Sequence, residues 1–242
     1  ESIAEEKAGI VKDEKPVLTG WLEPVANQVV ERIAKERGAP FETLAHLNPR
    51  SAELPETNLF GEYQRRNAAL AKHATEILSG KFPLDEEKTR RGLLQVSLQG
   101  RWQVLPGKPM IILDACHNGE GAVALRSNLV ALGKRVDIWF GSLGQDRASE
   151  VIRSILPFSY SFKFFRPNQP RACSPQTLMG LIPKSFDGEI STGKIDCIDG
   201  YFKMADEDRT ILITGSIYLI GEILASMQNL KKDTGLGLQD LF

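Results

Sequence analysis

The sequence predicts an α/β protein whose C-terminal part is a doubly wound, mostly parallel sheet. Beyond Gly100, short apolar segments alternate with amphipathic ones. Unbroken apolar segments of about four to eight residues are typical of strands buried on both faces, and such strands occur in parallel sheets covered by helices. Their alternation with helical segments is the pattern of βαβ units.

Each element of this part is predicted from the spacing of its apolar residues. Strands are predicted at 109–114, 135–140, 160–165 and 210–214. Helices are predicted at 120–132, 147–156, 175–182, 198–205 and 216–228. Residues three and four positions apart share one face of a helix, so two helices have a predicted buried stripe. These stripes are Ala122, Leu125, Leu129 and Leu132 in the first helix, and Ile217, Ile220, Leu224 and Met227 in the last. Tyr218 is also expected in the core.

The first 98 residues contain a smaller set of elements. The opening residues ESIAEEK are typical of a helix, and a strand at 15–19 precedes helices at 24–37, 62–79 and 85–96. The proline-rich stretch 39–60 should be loop with one short strand at most. One side of the helix at 62–79 is predicted to be lined by Asn67, Leu70, Ala71, Ala74, Ile77 and Leu78. A boundary near residue 98 gives two domains, 1–98 and 99–242.

Composition and charge favour a small-molecule partner. The chain is 42% hydrophobic and carries 30 Lys and Arg against 31 Asp and Glu. With this balance the chain has no net positive electrostatic field that would attract nucleic acid or an anionic membrane. The three cysteines show no CxxC pattern and fit a reducing compartment, and neither a membrane span nor a signal peptide is recognisable. We therefore expect a cytoplasmic protein without a nucleic-acid or membrane partner. A monomer is also expected, but the sequence leaves the oligomeric state open.

Polar or small residues follow three of the predicted strands. They are Asp114 to Asn118, Gly141-Ser142 and Gly215-Ser216. Ligands of open α/β sheets bind beyond the carboxyl ends of the strands, where helix N-termini and loop amides converge. An aspartate there can accept a hydrogen bond from a ribose hydroxyl, and a histidine or asparagine can donate to phosphate or carboxylate oxygens. The alternative is structural: Asp114 caps the following helix and His117 is a satisfied loop histidine.

Other candidate motifs carry less weight. Cys116 precedes His117, but adjacent side chains point apart, so packing is favoured over a thiol nucleophile. GEISTGK at 188–194 approaches the phosphate-loop pattern, yet Ile195 stands where a magnesium-binding hydroxyl is needed. Neither His46 nor His73 has a partner at metal-ligand spacing in the sequence.

Four separated segments resemble one family of ligases. They are IAEEKAGIVK (3–12), GEYQRRNAALA (61–71), GRW (100–102) with LDACHNGEGA (113–122), and ITGSIYLIGEI (213–223). In order and spacing they are similar to the folylpolyglutamate synthase and dihydrofolate synthase family of Mur-type ligases. The resemblance spans nearly the whole chain, and an unrelated α/β domain would have no reason to carry all four segments.

The resemblance implies an ATP-dependent ligase that uses ATP and Mg²⁺. A carboxylate of folate or dihydropteroate would be phosphorylated, and L-glutamate would then attack the acyl phosphate, in folate biosynthesis and one-carbon metabolism. Residues 1–98 would be the remnant of a central P-loop ATPase domain, and 99–242 a Rossmann-like C-terminal glutamate ligase domain.

The resemblance also implies roles for individual residues. Lys7 would be carbamylated, which turns a cation into an oxygen-bearing anion able to support magnesium; the alternative is an exposed helix lysine. The remaining roles are Asn67 at the adenine, Arg101 at the phosphates, Asp114 at the ribose, His117 near the transferring phosphate, and Ser216 at the incoming glutamate. We expect Asp114 and His117 to project into a gap that Lys7 and Asn67 also face.

The chain departs from the family pattern in three ways. Where the family has Asp-Gly-Ala-His-Asn-Pro, this chain has Ala115, Cys116 and Gly119; where the family often has Asp-Lys-Asp, it has Gln145-Asp146-Arg147 and no role is assigned. The family's phosphate loop, folate loops and magnesium ligands all precede EKAGI. An N-terminally truncated chain that is inactive alone is therefore expected.

Two other classes of function stay open from the sequence. One is a non-catalytic α/β module that binds a ligand or a protein partner. The other is an unrelated nucleotide- or sugar-binding enzyme with a complete site in 99–242. The sequence does not distinguish dihydrofolate synthase from folylpolyglutamate synthase activity.

Overall fold

The computed structural model describes residues 2–47 and 50–234, and the chain divides into two compact units, Glu1–Ser97 and Leu98–Phe242. Each unit is described by itself. None of the helices in the described ranges is both long and apolar enough to cross a membrane.

Unit 1 combines α-helices with a two-stranded sheet. Its elements are α1 (Ser2–Ala8), β1 (Val17–Thr19), α2 (Pro24–Glu36), β2 (Phe41–Thr43), α3 (Glu62–Leu78) and α4 (Glu86–Gln95). The two strands pair in parallel, with Val17 opposite Phe41. A small core joins α1 and α2 through Ala8, Val11, Val30, Ala34 and Ala39. The Asp85 carboxylate caps α4 by accepting from the Lys88 N–H at 2.8 Å.

Unit 2 contains a six-stranded sheet with the strand order β3-β4-β8-β5-β6-β7. Its strands are β3 (Gln103–Leu105), β4 (Met110–Asp114), β5 (Val136–Phe140), β6 (Ser159–Phe164), β7 (Glu189–Thr192) and β8 (Thr210–Thr214). Only β3 runs antiparallel to its neighbour; the other pairings are parallel. The chain returns from β7 at one edge to β8 in the centre, between β4 and β5. The carboxyl ends of β4, β5 and β8 therefore meet at the middle of one sheet edge.

Helices cover both faces of this sheet. They are α5 (Gly119–Leu132), α6 (Gln145–Ile155), α7 (Pro175–Met179), α8 (Ile198–Met204) and α9 (Ile217–Thr234). Leu125, Leu129, Val151 and Phe162 belong to the core on one face. The core on the other face includes Trp139, Ile213, Leu219, Ile220 and Ile223. The predicted doubly wound, mostly parallel sheet is confirmed.

Two strands, and the buried residues predicted at the start of α9, differ from the sequence prediction. β3 and β7 were not predicted: β3 has three residues, and β7, with the sequence EIST, lies at an edge with its side chains half-buried or exposed. Tyr218 is 45% exposed and Ile217 59% exposed, so placing them in the core was wrong. The buried apolar residues of α9 begin one turn later, with Leu219, Ile220 and Ile223.

The predicted stripe of α3 is also wrong in part. Asn67, Ala71 and Leu78 are exposed, whereas Gln64 and Ala68 are the buried residues of this helix. Alanines are spread around the helix, so apolar spacing alone allowed more than one buried side.

Candidate functional site

A small cavity lies where the carboxyl ends of β4, β5 and β8 meet. Its volume is about 160 Å³, and its lining comes from the loops that follow β4, β5, β6 and β8 and from the first turns of α6 and α9. The lining residues are His117, Ser142, Leu143, Gly144, Arg147, Arg171, Gly215, Ser216, Ile217 and Tyr218. The structure thus brings together the three strand ends singled out in the sequence.

His117 presents one free ring nitrogen at this cavity. Its side chain is exposed, and Nδ1 lies 3.0 Å from the carbonyl oxygen of Ala115. A carbonyl oxygen only accepts, so Nδ1 carries the proton and Nε2 is left to bind a ligand. Asn118, rather than Asp114, caps α5: its Oδ1 accepts from the Gly121 N–H at 2.9 Å. The alternative that Asp114 is the helix cap is therefore wrong.

Two helix N-termini face the cavity. The N–H groups of a first helical turn have no partner within the helix and attract anions. In α9, the buried Ser216 accepts the Tyr218 N–H through Oγ at 3.1 Å. In α6, Gly144 stands at the cap position and supplies no side-chain cap. First-turn N–H groups of both helices are thus available to a bound anion.

Arg147 and Arg171 give the cavity its charge. Arg147 lies in the first turn of α6, and Arg171 lies in the loop after β6. Within the described part of the chain neither is in an ion pair, and no Asp or Glu lines the cavity. Two unpaired guanidinium groups and an imidazole therefore face the same small volume. The sequence did not indicate these arginines, because Arg171 lies in a loop without a motif and Arg147 departs from the family pattern.

Close packing forms the floor of the site. The loops meet at Gly215, whose φ is +98°, and a Cβ there would lie 2.6 Å from the carbonyl oxygen of Gly141. A Cβ on Gly141 would in turn lie 2.8 Å from the carbonyl oxygen of Phe165. Only glycine fits at these two positions.

Asp114 lies beside the cavity without lining it. It is half-buried, with one oxygen accepting from the Cys116 N–H at 3.0 Å and the other from the Trp102 N–H at 3.1 Å. Burial raises the pKa of its carboxyl to about 6, although the two N–H groups and nearby Arg101 oppose this. The structure shows main-chain partners for Asp114; its predicted contact with a ribose stays a prediction.

Cys116 is a packing residue. It is 3% exposed, and burial, with the Asp114 carboxylate beside it, raises the pKa of its thiol to about 12. A thiol held in this state is a poor nucleophile. GEISTGK also proves structural, because residues 189–192 form the edge strand β7 itself.

A larger groove of about 620 Å³ lies elsewhere in unit 2, near the amino ends of β5 and β8. Its cations already have partners: Arg209 pairs with Asp137 at 2.9 Å, and Lys163 donates to Ser191 Oγ at 3.2 Å above the Tyr201 ring. The smaller cavity, whose arginines lack such partners, is the better candidate for an anionic ligand.

The remaining predicted residues are exposed. Lys7 lies on α1 and Arg101 just before β3, and Asn67 on α3 donates to Gln64 Oε1 at 3.1 Å. Lys7 and Asn67 belong to unit 1, so their grouping with His117 stays a prediction. No cluster of three or more His, Cys, Asp or Glu suited to a metal occurs within 2–47 and 50–234.

Comparison with known proteins gives relatives of one kind, although no protein-family profile matches. The chain is 28% identical over 246 residues to a dihydrofolate synthase/folylpolyglutamate synthase of Bacillus subtilis, covering 92% of this chain and 57% of the relative. It is 36% identical over 187 residues to the same kind of protein in Mycobacterium tuberculosis, covering 67% and 38%.

Solved structures share the fold. The Mycobacterium tuberculosis folylpolyglutamate synthase complexed with ADP and AMPPCP matches with a TM-score of 0.77 and 24% identity, over 95% of this chain and 59% of that one. The bifunctional Yersinia pestis enzyme complexed with AMPPNP and Mn ion matches with a TM-score of 0.72 and 22% identity, over 94% and 56%. The chain spans little more than half the length of the first of these relatives.

Fold and site together define an α/β protein that shares its fold with solved folylpolyglutamate synthases and has a positively charged cavity at the carboxyl edge of its C-terminal sheet. The chain is similar over most of its length to folylpolyglutamate and dihydrofolate synthases, so the family resemblance predicted from the sequence is confirmed.

Proposed function

We propose that this chain is the glutamate-binding part of an ATP-dependent ligase that adds L-glutamate to folate or dihydropteroate through an acyl phosphate. The single observation that carries the proposal is the small cavity with two unpaired arginines at two helix N-termini. The ligase activity is proposed for a protein that also contains the part of the relatives that this chain does not cover. The 242 residues alone are expected to bind glutamate without turning over ATP, because their sequence holds no phosphate loop of the GxxxxGK[ST] type.

The size of the cavity favours an amino acid over a nucleotide. Pockets for drug-sized ligands are about 300–1,000 Å³, whereas this cavity has about 160 Å³. Glutamate at neutral pH carries two carboxylates, and arginine binds carboxylates through two parallel hydrogen bonds. Arg147 and Arg171 can therefore hold one carboxylate each, while Leu143 and Ile217 offer apolar contact to the methylene groups.

His117 has the position to assist the reaction. His117 lines the cavity, and Nε2 of its neutral ring carries no proton, so it can accept one from the glutamate amine. Once protonated, Nε2 can donate a hydrogen bond to a phosphate oxygen. Because attack on an acyl phosphate requires a neutral amine, a neutral His117 with Nδ1 bound to Ala115 is the form suited to accepting the proton. Ser216 keeps the first turn of α9 in place for the ligand.

The nucleotide and metal sites need groups beyond this cavity. Magnesium would supply charge neutralisation on the phosphates, and a carbamylated Lys7 would add an oxygen ligand. Asn67, Arg101 and Asp114 are proposed to hold ATP, by analogy with the family. A monomeric, cytoplasmic protein with no nucleic-acid or membrane partner is part of the same proposal.

Calorimetric titration of the 242-residue protein tests the proposal. We expect saturable binding of L-glutamate, and binding of L-glutamine that is at least about 10-fold weaker, since the loss of one charged hydrogen-bonded contact costs about 1.5–3 kcal/mol. ATP should bind more weakly than L-glutamate. Equal binding of glutamate and glutamine would contradict the proposal. Tight binding of ATP alone would also contradict it, and would favour the unrelated nucleotide-binding enzyme.

A further inference from the structure

The Asp114 carboxylate joins two segments of main chain. Oδ1 accepts from the Cys116 N–H at 3.0 Å, and Oδ2 accepts from the Trp102 N–H at 3.1 Å. Between these bonds, the Ala115 N–H donates to the Gly100 carbonyl at 2.7 Å. Two of these hydrogen bonds fix the segment before β3 to the loop after β4, and the third, from the Cys116 N–H, holds that loop against the same carboxylate.

One of these segments needs such support. Trp102 has a φ of +46°, in the left-handed region that non-glycine residues rarely adopt. A conformation of this kind costs about 1–3 kcal/mol and persists only where surrounding structure holds it. The Trp102 ring is 6% exposed and belongs to the same core cluster as Cys116. The carboxylate of Asp114 thus holds the main chain of Trp102 while the core holds its ring.

The other segment leads directly to the cavity. The Cys116 carbonyl accepts from the Gly215 N–H at 3.0 Å, and the Ala115 carbonyl accepts from His117 Nδ1 at 3.0 Å. The orientation of the His117 ring therefore depends on the main chain of 115–116. That main chain is in turn fixed by Asp114.

We infer that Asp114 is a positioning residue: through the main chain of Trp102 and Cys116, it fixes the loop that presents His117 to the cavity. This role is separate from any contact with a nucleotide. It rests on the proposed function only in that the cavity's ligand is taken to be L-glutamate. Asp114→Asn removes one acceptor oxygen and places an amide NH₂ against a main-chain N–H, so at least one of the two bonds is lost.

Hydrogen exchange followed by NMR tests this role, with Asp137→Asn as the matched control. Asp137 lies on β5 of the same sheet, where it accepts from Ser161 and Arg209, away from the cavity. In Asp114→Asn, the amide of Trp102 or Cys116 should exchange at least about 10-fold faster than in the wild type, and the His117 ring resonances should shift. The affinity for L-glutamate should fall about 10-fold. Asp137→Asn should leave all three unchanged.

The possible outcomes separate this role from the proposed function. Unchanged exchange at both amides and an unshifted His117 ring in Asp114→Asn would overturn the positioning role. An equal effect of Asp137→Asn would reduce it to general destabilisation and overturn it too. If the wild type binds no L-glutamate, the proposed function fails, yet the exchange and ring measurements still decide the role of Asp114. If the variant does not fold, hydrogen exchange in the wild type tests the role. The amides of Trp102 and Cys116 should then exchange at least about 10-fold more slowly than the amide of His117. Equal exchange rates at these amides would overturn the role.

Discussion

Replacing Arg147 and Arg171 together by methionine is expected to lower the affinity for L-glutamate about 100-fold. Each arginine faces the cavity without a carboxylate partner among the described residues, so each is free to bind a ligand carboxylate. A hydrogen bond to a charged group contributes about 1.5–3 kcal/mol, with the lower value suited to exposed side chains. Two such losses give about 3 kcal/mol, and each 1.4 kcal/mol is a factor of about ten.

A charge-matched control separates direct contact from net charge. Arg126 and Arg153 are exposed arginines of the same unit, on α5 and α6, and neither lines the cavity. Replacing both by methionine removes the same charge and should change the affinity less than about threefold, because exposed charges at a distance are screened by salt. Calorimetric titration measures both variants. A similar loss in the two double variants would refute a contact between glutamate and the cavity arginines.

The stability of the wild type relative to Asp114→Asn is expected to fall as the pH rises from about 4 to 6. Burial raises the pKa of the Asp114 carboxyl from 3.8 to about 6, so the folded protein binds the proton more tightly than the unfolded chain does. This stabilising proton is present below about pH 4 and is lost as the pH rises through the folded-state pKa. The shift corresponds to about 3 kcal/mol, the upper size of the change.

Urea denaturation at several pH values measures this difference. Other carboxyl groups titrate in the same range, but subtracting the variant from the wild type removes their contribution where it is common to both. Burial of the Asp114 carboxyl, which raises its pKa, is opposed by the N–H groups of Cys116 and Trp102 and by the charge of Arg101, and these together set the size of the effect. A difference that is constant between pH 4 and 6, or that increases with pH, would show that the carboxyl is not buried as the structure places it.

The fold could be predicted where burial dominates the sequence pattern. Strands β4 and β8 are nearly continuous apolar segments, and β5 and β6 keep bulky apolar residues at their buried positions, so the positions of all four followed from the sequence. β7 did not, because its side chains at the sheet edge are half-buried or exposed and its four residues are mostly polar. Ile217 and Tyr218 of α9 were wrongly placed in the core, since a helical period of 3.6 does not reveal that the first turn of a helix is exposed.

The candidate site could be predicted only in part, for a similar reason. His117 and Ser216 lie in the short segments that follow predicted strands, and the structure places both at the cavity. Arg171 could not be identified, because it reaches the cavity through the fold of a loop and not through a motif. Asp114 could be identified from the sequence but its partners could not, since Trp102 lies twelve positions away and is brought near by the antiparallel pairing of β3 with β4.

The most direct test of a glutamate site at the carboxyl edge of the sheet is NMR mapping of L-glutamate on the isotope-labelled 242-residue protein. Saturable shifts should be largest at the His117 ring, at the guanidinium groups of Arg147 and Arg171, and at the main chain of Ser216. Shifts centred instead on Lys163 and Tyr201, or no saturable shift at any of these groups, would contradict the assignment of the cavity.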